Sequence, residues 1–171
     1  MKKFFLVAFI ALTAAPSLGA DAGSPAENLA MFAGSWQSQA TLQQPSGKPM
    51  QVSGTISCAW SSPAHIFLVC DGNATFEGDT TPHYQLSVYT YDAASKQYGF
   101  ANVTPNTLTS PDLTLSGTTW TYSGKMTNAG KTIYFRTLNI FESPNFYRFR
   151  SESSPDGSHW TTNIEGVSRR L

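Results

Sequence analysis

Apolar and polar residues alternate along most of this chain with a period of two, the pattern of strands that have one dry and one wet face. Ten segments rich in Val, Ile, Thr, Tyr, Phe and Trp carry it: 35–42, 50–60, 65–70, 83–91, 96–103, 111–115, 118–126, 131–141, 145–152 and 159–168. Clusters of Gly, Pro, Asn, Asp and Ser separate them, at 45–49, 71–73, 92–95, 116–117, 128–130, 142–144 and 155–157. No helical crossover lies between them, so neighbouring strands run antiparallel. Even spacing and short turns predict an all-β fold, a sandwich or an antiparallel up-and-down β-barrel of about ten strands. The single helix signal is Ser24-Pro25-Ala26-Glu27, a capping-box pattern with Pro at the first helical position. It predicts a short N-terminal helix with Leu29 and Phe32 on one face, stopped by Gly34.

The start of the chain departs from that alternation. Lys2 and Lys3 precede an apolar run from Phe4 to Ala15, followed by Pro16, Ser17, Leu18, Gly19 and Ala20. This order reads as a secretory signal peptide over 1–20, with cleavage after Ala20 or, second, after Ala22. The run is too short to span a bilayer as a helix. The expectation is a periplasmic or secreted protein with one domain over 21–171 and no membrane span. In such a compartment Cys58 and Cys70, the only cysteines, read as a structural disulfide. Zinc is the weaker reading, because no His stands near either Cys at a ligand spacing.

Turn length sets register, and register sets which side chains face inward. A two-residue Asp156-Gly157 turn pairs Phe149 with Ile164. The loop 142–145 sets Leu138 against Phe149 and Ile140 against Tyr147. A three-residue loop 128–130 sets Trp120 against Leu138 and Tyr122 against Arg136. Together with the Ser116-Gly117 turn these predict one inner face: Leu113, Leu115, Trp120, Tyr122, Tyr134, Arg136, Leu138, Ile140, Tyr147, Phe149, Trp160, Thr162 and Ile164. For the 83–91 and 96–103 hairpin two facings stay open, Tyr89, Tyr98 and Phe100 inward or Leu86, Val88 and Ala101 inward.

Arg136 stands out in that set, because a lone buried guanidinium is costly without an anion or a hydrogen-bond network. It reads as an anchor for a ligand's acidic group among Trp120, Tyr122, Tyr134, Leu138, Tyr147 and Phe149. A one-residue bulge, or a rim position where Arg136 reaches water, is the competing explanation.

Composition narrows the function classes. Charged residues make up 13% of the chain and aromatics 13%, which disfavours disorder. The formal net charge is zero and no basic cluster occurs after the leader, which disfavours nucleic acid and anionic membranes as partners. His65, His83 and His159 are scattered without a metal-ligand spacing. No cofactor is expected, with haem held by His159 beside Trp160 as a remote alternative. Nucleophile-elbow and phosphate-loop patterns are absent, so no catalytic residue is assigned.

Several pieces taken in order carry a family resemblance. They are Leu29-Ala30-Met31-Phe32-Ala33-Gly34-Ser35-Trp36, then Tyr91-Asp92 with Lys96 and Tyr98, then Ser154-Pro155-Asp156-Gly157 with Trp160, then Glu165 and the terminal Arg169-Arg170. The chain resembles the calycin (lipocalin-like) superfamily and, within it, the bacterial domain of unknown function 1579. The resemblance implies a small-ligand barrel in which Trp36 closes one end and a late arginine, Arg169 or Arg170, packs over it. The expected function is binding of a largely apolar small molecule with an acidic group. The alternatives are a barrel enzyme of isomerase or cyclase type and a filled structural domain.

Overall fold

A computed structural model describes residues 24–45, 47–128 and 130–171. The expected signal peptide and its cleavage site lie outside the described residues. The strands are β1 (Gly34–Leu42), β2 (Met50–Trp60), β3 (Phe67–Phe76), β4 (His83–Asp92), β5 (Gln97–Thr104), β6 (Thr107–Thr109), β7 (Asp112–Ser116), β8 (Thr119–Asn128), β9 (Lys131–Ser143), β10 (Phe146–Ser154) and β11 (Thr161–Arg170). Each pairs antiparallel with its sequence neighbours, except that β6 is a short appendage on β5, so that β7 follows β5 in the sheet. The β1–β11 and β4–β5 pairings complete a closed ten-strand up-and-down barrel.

Three local expectations are corrected. Ser24–Glu27 does not build a capping box: Glu27–Phe32 is a 3₁₀ turn with no side-chain cap, although Leu29 and Phe32 are buried as expected. Asp71–Asn73 is no turn, because β3 runs straight through it, Gly72 lying opposite Ile56. Asp156-Gly157 belongs to a longer loop between Ser154 and Thr161, in which the Asp156 carboxylate accepts from the Ser158 and His159 amides.

Facing is the larger correction. Strands β8 and β9 pair as far as Asn128 with Lys131, one residue off the expected register. Trp120 therefore meets Asn139, and Tyr122 meets Thr137. A bulge at Phe146/Tyr147 shifts β10 by the same step and sets Tyr147 against Phe141. A one-residue slip moves a whole strand to its other face. The inward residues of β9 are consequently Phe135, Thr137, Asn139 and Phe141, while Tyr134, Arg136, Leu138 and Ile140 face outward. Thr162 and Trp160 join the outer face too, Thr162 opposite Glu152 and Trp160 against Arg136. Trp120, Tyr122, Tyr147 and Phe149 do point inward, with Leu113, Leu115 and Ile164. On the undecided hairpin Tyr89, Tyr98 and Phe100 face in, and Leu86 is exposed.

One end of the barrel is packed solid. The 3₁₀ turn inserts Leu29 and Phe32 beneath the ends of β4, β8, β9 and β10, where Phe32 stacks on Tyr89 at 5.1 Å and meets Phe141 edge-on at 5.2 Å. Trp36 is buried and donates its indole N–H to the Phe32 carbonyl at 2.8 Å. The Arg170 guanidinium lies 4.3 Å over the Trp36 ring and donates to the carbonyls of Ala33, Met31 and Pro144. Gly34 leaves room for it: a Cβ there would lie 2.5 Å from the guanidinium. Arg169 takes no part in this closure and stacks on Phe146. Cys58 and Cys70, directly opposed on β2 and β3, form a buried disulfide in the same packed half. Such bonds persist in oxidising compartments. Among the described residues no helix is long and apolar enough to cross a membrane.

Candidate functional site

The other half of the barrel is hollow, because its inward positions are small. Along β1–β3 they are Ser38, Ala40, Val52, Gly54, Ile56, Gly72 and Ala74, where the closed half carries Trp, Phe, Tyr and the disulfide. Two adjoining lobes result. The first, about 240 Å³, lies toward the open mouth against Ala40, Val52, Gly54, Ala74 and Ile164. The second, about 310 Å³, lies deeper against Ser87, Phe100, Asn102, Tyr122, Phe135 and Thr137. Ile56, Gln85, Asn139 and Tyr147 line both.

Among the described residues, none that lines either lobe carries a formal charge at neutral pH. Polarity comes from hydroxyls and amides that largely satisfy one another. Tyr89 and Tyr122 share a hydroxyl–hydroxyl hydrogen bond of 3.0 Å. Thr137 bonds Ser151 at 2.6 Å, and Ser87 donates to Asn102 at 2.8 Å. Ser38 and Ser168 pair at 2.9 Å and both engage the Tyr147 hydroxyl. Burial drives the phenols of Tyr89, Tyr122 and Tyr147 above the ordinary tyrosine range, with mutual repulsion adding to the rise at Tyr122. These groups remain neutral donors and acceptors at any physiological pH.

The expected anion anchor is elsewhere. Arg136 lies on the outside of the barrel, its Nε 2.6 Å from the Glu152 carboxylate and its guanidinium 4.1 Å over Trp160. Arg150 holds the other carboxylate oxygen at 3.3 Å, so the nearly buried Glu152 is doubly paired. The cluster is an outer-wall brace, and Tyr134 packs beside it against Gly157. Leu138 stands opposite Arg150, away from the lobes. Of the expected ligand-binding residues, Tyr122, Tyr147 and Phe149 line the cavity, and Trp120 is buried in the packed half. Gln85, Asn139, Thr137, Ser87 and Asn102 were missed, because polar residues at alternate positions read as the wet face. His159 lies on the loop after β10, its side chain 86% exposed and its ring nitrogen 2.7 Å from Asp156. Among the described residues no His, Cys, Asp and Glu side chains gather as a metal site would require.

The family described as "Protein of unknown function (DUF1579)" matches residues 21–170. The chain belongs to the DUF1579 family. The closure by Trp36 and Arg170 in this DUF1579 barrel is the arrangement the calycin resemblance implied. Among solved structures, Rv2717c from M. tuberculosis is similar at a TM-score of 0.59 and 12% identity, over 86% of this chain and 98% of that one. The S-type phycobiliprotein lyase CPES from Guillardia theta is similar at 0.57 and 11% identity, over 85% of this chain and 91% of that one. At these identities the likeness is one of fold. Comparison with curated proteins finds no match.

Proposed function

We propose that this DUF1579 protein binds a small, uncharged, largely apolar molecule inside the open half of its barrel, as an exported protein released from its leader after Ala20. The observation that carries the reading is a two-lobed hollow over an aromatic floor, lined among the described residues without a single charged side chain. An acidic headgroup would be desolvated there with no cation to meet it, and burying an unpaired charge is prohibitive. Arg136, the anchor expected for such a group, is committed to Glu152 on the outer wall. A neutral ligand meets hydroxyl and amide partners instead, at Tyr122, Asn139, Gln85 and Thr137. The disulfide and the basic-then-apolar leader support export.

The test is a fluorescence titration with the uncharged probe N-phenyl-1-naphthylamine. Saturable binding at one probe per chain is expected. Gln85 lines both lobes without belonging to the packed floor, so Gln85→Trp should fill their junction and weaken binding by roughly tenfold or more. Absence of saturable binding, or wild-type affinity in Gln85→Trp, overturns the reading.

A further inference from the structure

The barrel wall is stitched unevenly. Strand β5 touches β7 through one residue pair only, Tyr98 with Leu113. The β7–β8 ladder ends at Asp112 with Ser123. Beyond it, toward the mouth, β8 pairs with β9 alone, while β6 pairs with β5 alone. Two strand edges, Thr107–Thr109 and the stretch from Gly124 to Asn128, therefore flank a break in the hydrogen-bonded wall. Pro111, which has no amide hydrogen to donate, stands in the segment that would have to close it.

Outside this break lies a slot of about 360 Å³ between residues 109–112 and 123–126. Inside it lies the deeper lobe. Thr109, Pro111 and Phe135 line both. Phe135 stands opposite Gly124 across the β8–β9 ladder, and its ring lies over that glycine: a Cβ at Gly124 would come within 2.8 Å of it. An aromatic folded across a glycine covers backbone that no side chain could cover in place. Here it also puts one half-buried ring between the interior and the slot.

We infer that the break between β6 and β8 is a lateral entrance to the cavity, shuttered by Phe135, and that the bound molecule is elongated, with its uncharged inner end in the deeper lobe and its polar outer end in the slot beside Asp112 and Lys125. The inference rests on the binding reading above for the ligand, but not for the entrance. Opening the shutter requires a side-chain rotation and no broken ladder bond, whereas entry elsewhere through the wall would part paired strands.

The entrance is tested without any ligand. Thr137→Cys places a reporter thiol in the deeper lobe, and its alkylation by uncharged iodoacetamide is timed. Phe135→Ala in that background should raise the rate by about tenfold, and Thr109→Trp, at an exposed position on β6, should lower it several-fold, as expected when reaction follows the open population. Ala74→Trp, which narrows the mouth lobe alone, should leave the rate within about twofold. Slowing by Ala74→Trp with no response to the other two overturns the entrance, as does one rate for all four proteins. The elongated shape is read separately: tetradecanol should displace N-phenyl-1-naphthylamine better than decanol does, and Thr109→Trp should remove that advantage. Persistence of the advantage in Thr109→Trp overturns the slot as part of the site. Failure of the probe to bind wild type, with the alkylation pattern intact, overturns the binding reading and leaves the entrance standing.

Discussion

At the scale of residues, the barrel separates charge from polarity. Every ion pair among the described residues is on the outside or at the rim, including the doubly held Glu152. The interior uses phenols, hydroxyls and amides. The three raised tyrosines give this a measurable consequence. Below pH 10.0, the ordinary tyrosine value, folded and unfolded chains both keep these protons. Above it the unfolded chain releases them and the folded chain does not, so the folded state binds more protons and stability falls as pH rises. Urea denaturation should give level stability between about pH 7 and 9 and a decline beyond about pH 10. Tyr122→Phe should flatten part of that decline. A flat profile through pH 11 for the parent protein would contradict the burial of these phenols.

At the scale of elements, β9 decides which side chains meet the cavity. Its inner face carries Phe135, Thr137, Asn139 and Phe141, and its outer face Tyr134, Arg136, Leu138 and Ile140. Truncating Phe141, 3% exposed in the floor, should cost about 3–5 kcal/mol. Leu138→Ala, on the outer wall, should cost less than half of that, as read from paired denaturation curves. The reverse order would restore the facing expected from the turns. That facing failed for a physical reason. Hydrophobic alternation reports a dry core, but a hollow in the open half replaces the core with Thr137 and Asn139, while Leu138 and Ile140 cover the outer wall. With both faces of mixed polarity, the register rested on turn length alone, and β8–β9 pairs one residue further than a three-residue loop allows. At Trp120, Tyr122 and Tyr147 the same reasoning found the inner face, but it left out Phe141, which is buried beside them. The strand count, the antiparallel order, the Cys58–Cys70 bond and the Trp36 closure were legible because each follows from local pattern or from a short motif. Gln85, Ser87 and Asn102 were not legible, since nothing in a polar strand position distinguishes cavity from solvent.

At the scale of the whole molecule, the barrel behaves as a cup with a braced floor and a lightly built rim. The floor holds the disulfide and the aromatic cluster, and the two lobes lie above it. Among the described residues no lobe-lining group titrates between about pH 5 and 9. Affinity for N-phenyl-1-naphthylamine should therefore be level across that range and unaffected by raising salt, because neither protonation nor screening alters a neutral contact. A strong salt dependence would assign the probe to the outer wall, where the arginines are.

Arg170 grips main-chain oxygens at Met31, Ala33 and Pro144 and lays its guanidinium over the Trp36 ring. Any residue supplies such an oxygen, so the hydrogen bonds themselves do not depend on the side chains of Met31 and Ala33, which pack against the core instead. The whole fastening depends on one planar five-donor group, on the Trp36 ring beneath it and on a bare Cα at Gly34. Exchanging Arg170 for a residue without that fork would undo the latch at a single position.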